Sequence, residues 1–397
     1  MSVSIDPDDS VEISVVMPCL NEERTLGICI AKARSSLQAM GASAEIVVAD
    51  NGSTDASIRI AEEGGARVVR VAQRGYGSAL QAGIEAARGS FVVMGDSDDS
   101  YDFAGIAPFI AKLRAGADLV MGNRFAGGIA PGAMPWLHRY VGNPVLSGIM
   151  NLLFQTPVRD AHCGLRAFRR GAYAAWGLST TGMEFASEMV VRACLLGHEV
   201  TEVPTTLKKD GRDRPPHIRS FQDGWRHLRF LLLASPRWLY VLPSSLLLAV
   251  GFGLMAWLTP GPQPIGYGRA VDLQTMLFGS LCVLLGYQTL WLGAFAKIFG
   301  WLIGFLPERT PSVNALLWMS LERGLVLGSA LLLVGLGLNG WMLYVWYLRN
   351  FGALPLQWTM RVLLWGSTVM VLGVQTIYGS FFLTMLGMAG RTRAEPA

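Results

Sequence analysis

The chain has 397 residues, of which 51% are hydrophobic and only 16% charged, with a mean hydropathy of +0.37. Charged residues in an ordinary soluble domain are nearer ~25%, so a single soluble domain and a disordered chain are both excluded. The apolar excess is local: residues 1–237 hold 25 Lys/Arg and 25 Asp/Glu and residues 238–397 only 8 and 4, which implies a soluble domain followed by a membrane segment.

Residues 1–12 are polar and acidic, so no cleavable signal peptide is expected. Val- and Ile-rich runs at 13–17, 46–49, 68–71 and 91–94 alternate with amphipathic stretches at 23–40, 55–63 and 78–88. Strands buried on both faces and joined by helices imply a parallel, doubly wound α/β sheet, whose ligands bind beyond the C-terminal strand ends. Polar clusters follow all four runs there: Asn21-Glu22-Glu23, Asp50-Asn51-Gly52-Ser53, Arg74-Gly75-Tyr76-Gly77 and Asp96-Ser97-Asp98-Asp99.

Each cluster has its own chemistry. Asp96 and Asp98, alternating in an extended turn, offer hard oxygens to Mg²⁺ or Mn²⁺ shared with substrate phosphates; the competing role is an acidic N-cap for a helix starting near Phe103. Asp50 is placed to accept from a nucleobase N–H and Glu22 from a ribose hydroxyl, while Ser53 or Thr54 caps the next helix and the turn itself does not require Asp50. Arg74-Gly75-x-Gly77 lets phosphate or sugar approach the backbone, but Leu80 stands where a dinucleotide fingerprint needs its third glycine. The cysteines Cys19, Cys29, Cys163, Cys194 and Cys282 lack C-x-x-C spacing and read as reduced thiols.

Net charge changes sign before the membrane. Residues 1–206 carry 17 basic and 22 acidic groups, and residues 207–237 carry 8 and 3, a basic stretch suited to anionic headgroups or a lipid-borne phosphate; nothing supports nucleic acid as a partner. Gly and Pro keep 208–219 from being helical, and 220–237 reads as an amphipathic interfacial helix with Phe221, Trp225, Leu228 and Leu232 on one face. Uncharged stretches at about 238–258, 273–296, 324–347 and 362–388 are each long enough to span a bilayer. Lys297, Arg309, Arg323, Arg391 and Arg393 lie on the side of the basic stretch, with Arg269, Arg349 and Arg361 in the opposite loops. This places the N-terminal domain and the C-terminus in the cytoplasm of a multi-pass protein of the cell (inner) membrane. Gln288, Asn339 and Gln375 are candidates for bonds between helices, and the spans for homo-oligomer contacts.

Taken together, the motifs resemble the family 2 glycosyltransferases, within them the dolichyl-phosphate mannosyltransferase and bacterial polyprenyl-phosphate glycosyltransferase group. The matching segments are V-V-M-P-C-L-N-E-E at 15–23, V-V-A-D-N-G-S-T-D at 47–55, R-G-Y-G-S-A at 74–79, G-D-S-D-D at 95–99, G-N-R-F at 122–125, D-A-H-C-G-L-R-A-F at 160–168 and G-M-E-F-A-S-E-M at 182–189. The resemblance runs from Val11 to about Leu239 and implies a glycosyltransferase-A domain over 1–219; composition and hydropathy add the interfacial helix at 220–237 and an all-α four-helix transmembrane domain over 238–397. It also implies inverting transfer of a hexose from a nucleotide-sugar of the UDP-glucose or GDP-mannose type to a polyprenyl phosphate. Pro18, Glu22 and Asp50 are implied at the nucleoside, with Arg74 and Gly75 also on the donor side, Asp96 and Asp98 at metal and diphosphate, and Arg124 and Arg139 at phosphate. Asp160, Arg166, Glu184 and Glu188 are implied near the sugar or as scaffold of its pocket. Where related enzymes often carry a Gln as third metal contact this chain has Ser100, leaving Asp99 or water for that place. The basic stretch lies where the family binds the lipid phosphate, making Arg212, Arg214 and Arg219 the acceptor-phosphate candidates. A hydroxyl acceptor, or a non-catalytic nucleotide-sugar-binding membrane protein, are the rival readings.

Overall fold

The computed structural model describes residues 11–212, 220–306 and 321–394. Contacts divide the chain into two compact units, Met1–Leu231 and Leu232–Ala397. The first is built on seven strands: β1 (Ile13–Cys19), β2 (Ala44–Asp50), β3 (Arg67–Arg70), β4 (Phe91–Met94), β5 (Leu119–Asn123), β6 (Arg166–Arg169) and β7 (Val200–Pro204). Their order is β3-β2-β1-β4-β6-β5-β7. β1 runs parallel to β2 and β4, β2 to β3 and β5 to β7; only β6 is reversed, between β4 and β5. β6 escapes an apolar-run search because its sequence, R-A-F-R, begins and ends in arginine.

Both faces of this sheet are covered. Ile13, Val15 and Met17 share one apolar cluster with Cys29, Ile30 and Ala33 of α1 (Leu26–Ala39) and Phe109, Ile110 and Leu113 of α4 (Ala107–Arg114). The opposite face takes α3 (Tyr76–Ala86), which lies so close that a Cβ on Gly83 would come within 2.6 Å of Val16. Burial of each such Val, Ile or Leu is worth roughly 1.5–3 kcal/mol, which explains why β1 is apolar on both sides.

β1 has β2 on one side and β4 on the other, so the chain reverses its direction of travel across the sheet between β1 and β4. In open α/β sheets the ligand crevice forms at that switch, beyond the carboxyl ends of the strands. The loops after Cys19 and after Met94 therefore open side by side.

The second unit has four helices long and apolar enough to cross a membrane: Arg237–Leu258, Leu273–Leu302, Leu321–Leu348 and Leu356–Met388. Each encloses one of the uncharged stretches. The first two cross at small residues, a Cβ on Gly251 falling 2.6 Å from the Gly279 carbonyl oxygen. Interhelical bonds join Ser280 to Thr368 (2.7 Å) and Tyr287 to Thr376 (2.6 Å), hydroxyls rather than the amides expected. Gln288 is exposed instead, and Asn339 Oδ1 and Gln375 Oε1 are buried without a hydrogen-bond partner among the described residues. Arg361 is not in a loop. It lies buried within the last helix, ion-paired with Asp272 and donating to the Leu258 carbonyl at 2.8 Å, thereby tying that helix to the ends of the first two spans.

Candidate functional site

The loop after β1 is laced to the loop after β2. Asn21, at φ 57°, accepts from Thr54 N–H at 2.7 Å through Oδ1, and its own N–H donates to Ser53 Oγ at 2.9 Å. Glu22 N–H donates to Ser57 Oγ at 2.7 Å. This lacing delays α1 to Leu26, three residues after its amphipathic pattern begins. Asp50 does hold its turn, contrary to expectation: its carboxylate accepts from Gly52 N–H and Ser53 N–H, both at 3.1 Å. Nor does Ser53 or Thr54 cap α2 (Ser57–Glu63), because Asp55 Oδ1 accepts from Ser57 N–H at 2.9 Å. Pro18 supplies its carbonyl to Ser97 Oγ at 2.6 Å, joining the end of β1 to the loop after β4.

That second loop presents Asp96 and Asp98 at the crevice. Tyr76 O–H donates to Asp96 Oδ1 at 3.0 Å. Burial first, and then the neighbouring Asp98, push the Asp96 carboxyl up to about 6. Asp98 Oδ1 accepts from Ser100 N–H (3.0 Å) and Oγ–H (2.5 Å). Ser100 therefore orients the second carboxylate, and Asp99 is no third contact: at φ 59° it turns away to Lys32 Nζ, 2.6 Å distant. The N-cap function falls to Asp102, which accepts from Ala104 N–H at 3.2 Å, so Asp96 and Asp98 are not spent on capping. Asp96 Oδ2 accepts no hydrogen bond among the described residues, and two hard carboxylates two positions apart fit Mg²⁺ or Mn²⁺. No group of three His, Cys, Asp or Glu able to hold a metal occurs among the described residues, so phosphate oxygens and water would complete such a site.

A strap from the basic stretch closes this edge. Leu207 bridges Tyr101 and Ile129, Lys208 N–H donates to the Ser100 carbonyl (2.9 Å), and Gly211 N–H donates to that of Asp98 (3.0 Å). Arg212, the first candidate for the acceptor phosphate, thus reaches two carboxylates that the sequence offers for donor and metal, with Nη2 2.8 Å from Asp98 Oδ2 and Nε 3.0 Å from Glu22 Oε1. Arg214 and Arg219 lie outside the described residues.

Other candidates form a supporting layer. Arg124 is gripped by Asp160 through Nε (2.8 Å), Nη2 (2.7 Å) and its backbone N–H (2.9 Å), while Nη1 donates to the Tyr101 hydroxyl oxygen at 3.4 Å. Asp160 is fully buried in this pair, its carboxylate committed to Arg124. Arg166 is fully buried as well, donating to the carbonyls of Cys163, Ala186 and Ala161, so it scaffolds the 160–166 loop. Glu188 accepts from Ser179 and Thr180 and pins the 179–182 loop. Against that loop rest Gly75 and Gly77, whose missing side chains make room for Thr180 and Thr181 backbone rather than for a phosphate. Glu184 Oε2 is buried without a hydrogen-bond partner among the described residues. Arg74 is exposed, and the half-buried Arg139 has no side-chain hydrogen bond or ion pair among the described residues, its guanidinium lying 5.5 Å over the Tyr140 ring. Sequence reasoning missed Tyr76, Tyr101 and Glu202, which accepts from Asn123, Arg159 and Asp160. Tyr76 stands inside a quoted motif; Glu202 carries no signal.

The outer side of this unit is apolar in two places. Trp136 is 69% and Tyr140 59% exposed, with Leu137, Val141, Val145 and Leu152 also exposed through α6 (Asn143–Phe154). On α9 (Ser220–Leu233), Phe221 is 85% exposed with Trp225, while Asp223, His227, Phe230 and Leu231 are buried.

Residues 14–177 match the profile of Glycosyl transferase family 2, and residues 294–387 that of the Glycosyltransferase family 2 C-terminal transmembrane region. The low-salt glycan biosynthesis hexosyltransferase Agl6 of Haloferax volcanii is 38% identical over 390 residues, covering 97% of this chain and 91% of that protein. A dolichyl-phosphate hexose transferase of the same organism is 32% identical over 50% of this chain and 83% of its own. An uncharacterized glycosyltransferase of Mycobacterium tuberculosis is 36% identical over 48% of this chain and 83% of its own.

Proposed function

The chain belongs to glycosyltransferase family 2 and is a membrane-bound hexosyltransferase, and from that premise we propose that it transfers a hexose from a nucleotide-sugar to a polyprenyl phosphate. The observation that carries the acceptor reading is the place of Arg212: the basic stretch that precedes the membrane spans puts a guanidinium against Glu22 and Asp98 at the sheet's switch point. The exposed apolar faces of α6 and α9 support an acceptor met at a membrane surface, and the flanking basic loops support a cytoplasmic site.

Asp50 and Glu22 hold the nucleoside, with the Pro18 region beneath it. Asp96 and Asp98 would hold a divalent cation, Mg²⁺ or Mn²⁺, which would supply neutralisation of the departing diphosphate. Arg212, with Arg214 and Arg219, holds the acceptor phosphate, while Arg139 and the remaining Nη1 of Arg124 add positive charge. Asp160 fixes Arg124, Arg166 and Glu188 shape the pocket wall, and the unpartnered Glu184 Oε2 is an acceptor for a sugar hydroxyl. A phosphate monoester, second pKa ~6, is already ionised at neutral pH, so no side chain has to remove a proton. Its oxygen attacks the anomeric carbon in line as the bond to the nucleoside diphosphate breaks, inverting the centre without a covalent enzyme intermediate.

UDP-glucose is the preferred donor, ahead of GDP-mannose. Membranes containing the chain are incubated with each labelled donor and a C55-type polyprenyl phosphate. Label moving into the organic phase, and lost in Asp96→Asn, is the expected result. A water-soluble or polymeric product, or wild-type rates in Asp96→Asn, would overturn the proposal.

A further inference from the structure

We propose that Tyr76 is the positioning residue for Asp96, fixing from one side the carboxylate whose other oxygen lies over the bare face of Gly164. The premise is that Asp96 is a ligand of metal and diphosphate, as proposed above. Tyr76 opens α3, and the two glycines beside it leave that first turn one place to sit. A Cβ on Gly75 would fall 2.3 Å from the Thr181 carbonyl oxygen and one on Gly77 2.6 Å from that of Thr180. Gly75, at φ 142°, donates its N–H to Asn51 Oδ1 at 2.8 Å, and Ser78 N–H donates to the Thr181 carbonyl at 3.2 Å. The loop receiving these contacts is itself pinned by Glu188. The tyrosine ring thus projects from a backbone locked on both sides, and its O–H meets Asp96 Oδ1 at 3.0 Å.

The opposite side of the carboxylate is equally defined. A Cβ on Gly164 would stand 2.6 Å from Asp96 Oδ2, and Gly164 is held by its N–H, which donates to the Tyr101 hydroxyl oxygen at 2.8 Å. A carboxylate's terminal torsion is broad when nothing holds it. With Oδ1 committed to Tyr76, Oδ2 is the oxygen that remains to meet a cation. Asp98 needs no such partner from α3, because Ser100 orients it from within its own loop.

The test uses the full chain in detergent, with Mn²⁺ binding in the presence of UDP followed by the loss of the free-ion EPR signal, alongside the Mn²⁺ dependence of transfer. Tyr76→Phe should weaken Mn²⁺ binding about tenfold, the factor expected for loss of one hydrogen bond to a charged group. The concentration for half-maximal rate should rise in parallel, with a smaller loss of turnover at saturating Mn²⁺ and a melting temperature lowered by only a few degrees, the cost of one lost hydrogen bond. Gly164→Ala, which presses on the same carboxylate with Tyr76 intact, should weaken Mn²⁺ binding too. An unchanged Mn²⁺ curve in Tyr76→Phe, or an equal loss of rate at every Mn²⁺ concentration, overturns the inference. If Asp96→Asn itself binds Mn²⁺ and turns over like wild type, the premise has failed; if Asp96→Asn is inactive and Tyr76→Phe binds Mn²⁺ normally, only the role of Tyr76 has.

Discussion

Asp160→Asn separates a supporting role from a sugar-binding one. Asp160 is fully buried and accepts three hydrogen bonds from Arg124, at 2.7, 2.8 and 2.9 Å, and a fourth contact, from its own N–H to Glu202 Oε1 at 3.0 Å, fixes its backbone. The asparagine keeps the volume but removes the charge, and turns an N–H₂ towards donors that have nowhere else to go. Leaving one charge of a buried pair unmatched costs roughly 3–5 kcal/mol. In a unit of this size, each kcal/mol lowers the melting temperature by about 2–4 °C, so a fall on the order of 6 °C or more is expected. The measurement is a fixed-rate thermal scan of the full chain in detergent, followed by tryptophan fluorescence. A melting temperature within about 1 °C of wild type, with transfer abolished, would refute the reasoning and return Asp160 to the sugar.

Three further outcomes follow from named contacts. Arg212→Gln removes a guanidinium shared by Glu22 and Asp98, and should raise the KM for polyprenyl phosphate ~10- to 100-fold, the range for lost charge-assisted bonds; a rise confined to the donor KM would place Arg212 on the other substrate. Asp272→Asn deprives the buried Arg361 of its anion and should lower the melting temperature of the detergent-solubilised chain by several degrees, whereas no shift would mean that the pair contributes nothing to helix packing. His227, whose Nδ1 lies 2.8 Å from Ser187 Oγ, is pushed down by burial to about 4 against an ordinary 6.5. The folded state then binds fewer protons than the unfolded one between those values, so stability is complete above pH 6.5 and falls as the pH drops towards 4. The loss is up to about 3 kcal/mol at 1.36 kcal/mol per pH unit. His227→Asn should flatten that part of a melting-temperature profile, and an identical slope in both proteins would exclude His227 as its source.

How much of this was legible in the sequence depends on whether a residue's partner is near it in the chain. The four strand runs and the polar clusters at their ends could be read because alternation and punctuation are local signals, and parallel pairing then forces the clusters onto one edge. The later strands were not legible. β6 reads as polar because its arginines are satisfied by carbonyls of other segments, Arg166 by Ala161, Cys163 and Ala186 and Arg169 by Leu113 and Ala117. Composition scores a buried, fully bonded arginine as surface.

The same distinction governs the site. Asp96 and Asp98 were legible because their spacing carries the chemistry, but the residues that orient them belong to different parts of the chain: Tyr76 lies 20 residues away from Asp96 and Arg212 114 from Asp98. Local signals also misplaced short-range roles. Asp50, Asp55 and Asp102 do the turn and capping work that spacing assigned to Ser53, Thr54 or the Asp96 cluster, since any of these side chains can cap and only the backbone path selects one. A carboxylate freed from capping by a neighbour is available for ligand, and Asp102 leaves Asp96 and Asp98 free of that task. The uncommitted Oδ2 of Asp96, beside an Asp98 that Ser100 and Arg212 hold in place, is thus a stronger argument for a role in binding than the D-x-D spacing that first drew attention to them.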